Sequence, residues 1–173
     1  MEPMNKAALL SLHAYNHYAN NLVLETVSHM TEDQLTCASS PSNGSVKGLL
    51  LHIAMCEYGF ILRCTGTPLE NTPQDFESMT FPEIRTLFAT VAYMRKNYLD
   101  AVGDNVLNAV IPIQIRQQPL NLAPWQMLAQ SLLHSVHHRG ELSIVMTNLG
   151  YPLPTLDPIL MYIRESGQDW PWE

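Results

Sequence analysis

Four long stretches of this chain repeat apolar residues at helical spacing, and the last three are closed by glycine or proline. An amphipathic helix has to bury its apolar stripe against something. Four of them in 173 residues have mainly each other to pack against, which predicts an all-α helical bundle in one domain, residues 1–173. The first stretch runs from about Asn5 to Met30. Its apolar face is read as Leu12, Tyr15, Ala19, Leu22 and Thr26, opposite a solvated stripe of His13, Asn16, His17 and Asn20. A polar linker from Thr31 to Asn43 follows, and Ser45 is a natural N-cap for the second stretch, with Val46, Leu49, Leu50, Ile53 and Ile61 as its apolar stripe. Gly66 and Pro68 end that helix.

The third stretch starts near Thr80 with Pro82 in its first turn, where a missing N–H costs nothing. It carries Ile84, Leu87, Phe88, Val91, Met94 and Tyr98 and stops at Gly103. Val110 to Arg116 alternates apolar and polar residues around Pro112 and reads as extended. The fourth helix is expected from Pro124 to Leu149 with Gly150 as its stop, and a short helix from Asp157 to Arg164 in the Pro- and aromatic-rich tail.

Charge and cysteine content narrow the function. Net charge is −7 and the nine Lys and Arg are scattered, which opposes nucleic acid and anionic membrane surfaces as partners. No unbroken apolar run approaches the ~20 residues of a membrane span. The first residues carry an early acid, and His and Asn interrupt their apolar positions, so no signal peptide is expected. Cys37, Cys56 and Cys64 include no CxxC pair and read as small core fillers. The expected setting is the reduced cytoplasm.

The chemistry concentrates in "LLHSVHHRGEL", Leu132 to Leu142. Four residues advance a helix by about 400°, so His134 and His138 project within ~40° of each other, while His137 lies ~100° away and faces out. Two imidazoles so placed can share a metal ion, and an open catalytic site needs a third ligand. His52 is the best candidate, on a helix face of small and apolar residues that includes Gly48, Leu49, Met55, Cys56 and Gly59. Glu57 is about 140° around from His52 and is not expected in the same ligand set. The alternative for these histidines is an ordinary hydrogen-bonded polar seam. His13 and His17 repeat the spacing, but their Asn-rich stripe favours solvent. Tyr15, Tyr18 and Trp125 read as core or rim aromatics.

Three segments, "YNHYAN" (Tyr15–Asn20), "GSVKGLLLHIAMCE" (Gly44–Glu57) and "LLHSVHHRGELSIVMTNLG" (Leu132–Gly150), together resemble the DinB-like, or YfiT-like, family of bacterial helical-bundle proteins, which is unrelated to the DNA polymerase of that name. The resemblance covers most of the chain. It implies an up-down-down-up four-helix bundle, often a homodimer. It also implies one divalent metal ion per chain, zinc or nickel, held by His52, His134 and His138. Relatives of this kind include thiol-dependent S-transferases and isomerases, so a metal-dependent enzyme is implied, a transferase or hydrolase in detoxification or stress response. Its substrates would be a small-molecule electrophile and a low-molecular-weight thiol or water. The alternative is a non-catalytic metal- or ligand-binding dimer. Relatives often have Gln where this chain has Glu141, and Trp where it has Tyr18. Glu141, three residues after His138, is a candidate acceptor for an imidazole N–H behind the metal.

Overall fold

The computed structural model describes residues 3–69, 75–115 and 117–168. Four long helices carry the fold: α1 (Lys6–Val27), α3 (Val46–Thr65), α4 (Phe81–Ala101) and α6 (Pro124–Asn148). Shorter elements join them: α2 (Glu32–Thr36), α5 (Asp104–Asn108), the strands β1 (Ile111–Ile115) and β2 (Gln118–Leu122), and α7 (Pro158–Ser166). The long helices touch in the cyclic order α1, α6, α3, α4, with the α3–α6 seam the most extensive.

Local sequence explains where the helices begin and end. Asn5 Oδ1 accepts from the free N–H groups of Ala7 and Ala8, and Ser45 Oγ accepts from Gly48 N at 3.1 Å. Glu83 reaches back to accept from the backbone N–H and hydroxyl of Thr80, both at 2.7 Å. At the far ends, Gly66 and Gly150 take positive φ of 70° and 87°. Gly48 is required for a different reason. A Cβ there would stand 2.0 Å from Asn43 O, so only glycine lets the 40–44 turn close against the start of α3.

The core joins Leu49, Leu50, Ile53 and Ile61 of α3 to Ile84, Val91 and Leu99 of α4 and to Met127, Leu128 and Leu142 of α6. The extended reading near Val110 holds for β1, which pairs antiparallel with β2 in register Ile113↔Leu120; Arg116, its last residue, lies outside the described residues. Arg63 Nε donates to Gln114 O at 2.9 Å and ties this hairpin to α3. The helix α2 breaks the stretch read as linker, and α5 falls where no element is expected. Each has five residues, too few to show a periodicity. α3 is long and apolar enough to pass for a membrane span, but half of that window is buried inside the protein.

The face of α1 differs from its expected one. Leu12 is exposed and Leu22 and Thr26 are only half-buried, whereas Leu9, His13, Asn16, Ala19, Asn20, Val23 and Val27 are buried. The stripe of His13, Asn16, His17 and Asn20 is therefore mostly an interior face, and of those four residues only His17 is exposed. The cause lies on other helices, where charged groups meet these amides.

Candidate metal centre and the buried ion network

His52 on α3 faces His134 and His138 on α6 across the widest helix contact of the protein. The ring centroids are 4.7, 4.5 and 4.5 Å apart, and the Nε2 atoms of His52 and His134 approach to 3.0 Å. Tetrahedral zinc with bonds of ~2.0–2.1 Å places its ligand nitrogens roughly 3.3 Å apart, close to that separation. One nitrogen from each of the three rings lies within 4.8 Å of the others. His134 Nδ1 is buried with no partner. The donor set therefore fits a divalent cation of borderline softness with a position left open.

His134 and His52 are also biased toward the neutral form. Burial lowers the pKa of His134, and the neighbouring His138, His52 and His137 lower it further, to about 4. Burial and His138 lower that of His52. Neutral imidazole is the form that ligates a metal. His137 is exposed, as its angle on the helix implies, and its ring only abuts His138 at 4.9 Å between centroids.

Glu141 stands behind this trio and does two things. Its Oε2 is 3.5 Å from His138 Nδ1, too long and poorly directed for a hydrogen bond. Its stronger attachments are to the 40–42 turn: Oε1 accepts from Ser40 Oγ at 2.6 Å, and Oε2 accepts from Ser42 Oγ at 2.6 Å. Desolvation raises its pKa, but the hydroxyls of Ser40 and Ser42 and the Ser42 N–H, with His138 close by, together outweigh it and hold the carboxyl near 2. Glu141 thus pins the turn before α3 to α6 beside His138.

Glu57 does not join the three histidines. It is 2% exposed and anchors an ion network that links all four long helices. Its Oε1 accepts from Asn16 Nδ2 (2.7 Å), Asn20 Nδ2 (2.9 Å) and Ser135 Oγ (2.7 Å), and its Oε2 accepts from Arg95 Nη1 (2.7 Å). The other ends of the same two asparagines accept from Arg139 Nη1 at 2.7 and 2.6 Å. Each carboxamide turns its N–H to the anion and its oxygen to the cation. Burial would raise the Glu57 pKa, but Arg95 and the hydrogen bonds from Asn20 and Ser135 bring it down to about 2. Sequence reading missed this network because each member looks like a surface residue on its own helix. The one available signal was that the two Asn share the i, i+4 spacing of a ridge.

Comparison with known proteins fits this architecture. The DinB family model matches residues 4–169. The chain belongs to the DinB family. Its fold is similar to the crystal structure of YjoA, a DinB-like protein of Bacillus subtilis, at 17% identity and a TM-score of 0.64, covering 84% of this chain and 97% of that one. It is also similar to a DinB-like protein of Bacillus cereus, at 18% identity and a TM-score of 0.60, covering 80% and 90%. No curated protein matches the sequence. Within this DinB chain, the H-x-x-x-H-H-R-G segment serves two structures at once. His134 and His138 belong to the histidine trio, and Arg139 turns the other way into the ion network.

Proposed function

We propose that this DinB protein is a metal-dependent enzyme in which His52, His134 and His138 hold one zinc or nickel ion and activate a thiol or water toward a small electrophile. The observation that carries the reading is the convergence of three imidazoles from two helices. When bound, such an ion makes a coordinated thiol or water more acidic. The chain's own contribution is to present three imidazole nitrogens, to keep the 40–42 turn fixed through Glu141, and to hold α3 against α6 through Glu57 and Ser135. The cyclic order of helix contacts supports an up-down-down-up bundle. Cytoplasmic location, a homodimer, and a role in detoxification or stress response belong to the same reading.

A second reading, a non-catalytic metal- or ligand-binding dimer, draws on the surroundings of the trio. Glu141, the carboxylate nearest the trio, is tied up by two serine hydroxyls. The nearby Cys56 thiol is pushed by burial and by Glu57 up to about 11, away from thiolate. One experiment separates the two. Purified protein should hold about one divalent ion per chain and turn over chlorodinitrobenzene or an epoxide with at least one member of a thiol panel. A bound ion with no turnover for any thiol would favour the second reading. Undiminished metal in His52→Ala and His134→Ala would remove both.

A further inference from the structure

A cleft of about 760 Å³ opens between α1, α4 and α7, on helices that contribute nothing to the histidine trio. Leu10, Ala92, Leu99 and Met161 give it an apolar wall, and its polar end holds His13 and Arg95. Both are more than nine-tenths buried, at 5% and 3% exposure. Neither ring nitrogen of His13 has a hydrogen-bond partner. A buried imidazole with a free donor and a free acceptor is costly unless something supplies the missing partners. The mechanism proposed above does not use it.

The charge at this end selects the partner. Arg95 lines the cleft from within the protein, while Lys96 at its rim is paired with Asp100 and Glu165 is the one acid in the lining. Behind Arg95, the buried cluster of Arg95 and Arg139 holds two positive charges against Glu57 alone. Among the described residues Glu57 is the only partner of Arg95. The cleft thus brings a buried guanidinium and an unpartnered buried imidazole to one space. A carboxylate accepts from both a guanidinium and an imidazole N–H, while an amine would be repelled there.

We propose that this cleft is a second ligand site, distinct from the histidine trio, that takes a small carboxylic acid with an aliphatic or aromatic body. The carboxylate meets His13 and Arg95, and the apolar body lies along Leu10, Ala92, Leu99 and Met161.

Calorimetric titration of the full-length protein with octanoate, and with octan-1-ol as the uncharged comparator, tests this. Octanoate should bind saturably and about tenfold or more tighter than the alcohol, the difference a charge-assisted contact makes. His13→Phe should weaken octanoate by about tenfold while melting no lower than wild type, because it deletes two unpaired buried nitrogens. Ala92→Phe fills the cleft without touching a polar group and should abolish binding. His52→Ala should leave octanoate affinity unchanged, which keeps this test independent of the metal reading. Equal affinity for octanoate and octanol would overturn the proposal, as would unchanged octanoate affinity in Ala92→Phe. If wild type takes no octanoate and Ala92→Phe instead alters the oligomeric size, the cleft receives a second copy of the chain and the ligand site is wrong.

Discussion

The chain carries two His-x-x-x-His pairs, and the structure puts them to opposite uses. His134 and His138 lie on α6 facing a third histidine, and all three rings close on one point. His13 and His17 lie on α1 with the same spacing, yet one is buried against Arg95 and the other is exposed. Spacing sets only the angle between two side chains on a helix. What they face comes from the neighbouring helix: His52 in the first case, a guanidinium in the second.

The strongest way to break the comparison is through the ion network beside the α1 pair. Glu57→Ala removes the carboxylate that, alone among the described residues, faces two buried arginines, and stranding a buried charge costs about 3–5 kcal/mol. Urea denaturation should show a loss of that size. A loss below about 1 kcal/mol would mean that water reaches Arg95 and Arg139 and that the network is not a closed interior.

The next test sets one pair directly against the other. His134→Ala should lower metal affinity by well over about 100-fold, more than the 10–100-fold that removing a partner behind a ligand costs. His17→Ala should leave it within about threefold, a change of less than ~1 kcal/mol. Measured zinc dissociation constants check both. Equal losses would mean that the α1 pair also holds metal, against the geometry.

These contrasts show what was legible in the sequence. Ser45, Thr80 with Glu83, Pro82 and Gly150 mark helix ends through contacts within a few residues, so the four long helices could be read from local patterns. His52 was legible because an imidazole among small and apolar residues is out of place on such a face. The buried face of α1 was not. Asn16 and Asn20 are interior only because Glu57 comes from α3 and Arg139 from α6, positions 41 and 123 residues away from Asn16. Hydrophobic periodicity scores such residues as surface, and no local window contains their partners. The cleft lay beyond reach for the same reason, since it exists only between α1, α4 and α7.

A third prediction concerns pH and again separates the pairs. Burial and Arg95 lower the His13 pKa to about 3, against 6.5 for the unfolded chain. Between those values the unfolded state binds a proton that the native state refuses, so stability falls as pH drops from 6.5 toward 3. One such group contributes at most about 1.4 kcal/mol per pH unit. In metal-free protein, His13→Phe should flatten the pH dependence of unfolding in that window, whereas His17→Phe, at an exposed position, should change it far less. Parallel pH profiles for wild type and His13→Phe would show that the buried imidazole already takes up its proton as readily as a free one. Glu57 acts lower down. Its native pKa near 2 against 4.5 makes its share of stability complete above 4.5 and lost as pH falls toward 2, so the His13 variant should still unfold in strong acid.

The smallest effect is expected at Glu141. The carboxylate accepts from Ser40 and Ser42 at 2.6 Å but stands 3.5 Å from His138 Nδ1. Its firmest work is therefore on the turn that leads into α3, and only secondarily on the imidazole. An amide oxygen still accepts one of the two hydroxyls, so Glu141→Gln should change zinc affinity by less than about threefold. Glu141→Ala strands both hydroxyls and frees the turn, and it should loosen amide protection at 40–44 in hydrogen exchange more than it lowers metal affinity. A tenfold or larger loss of zinc in Glu141→Gln, with the turn still protected, would reverse the assignment. The carboxylate would then act on His138 directly, its charge raising the basicity of the ring as in a carboxylate–histidine–metal triad.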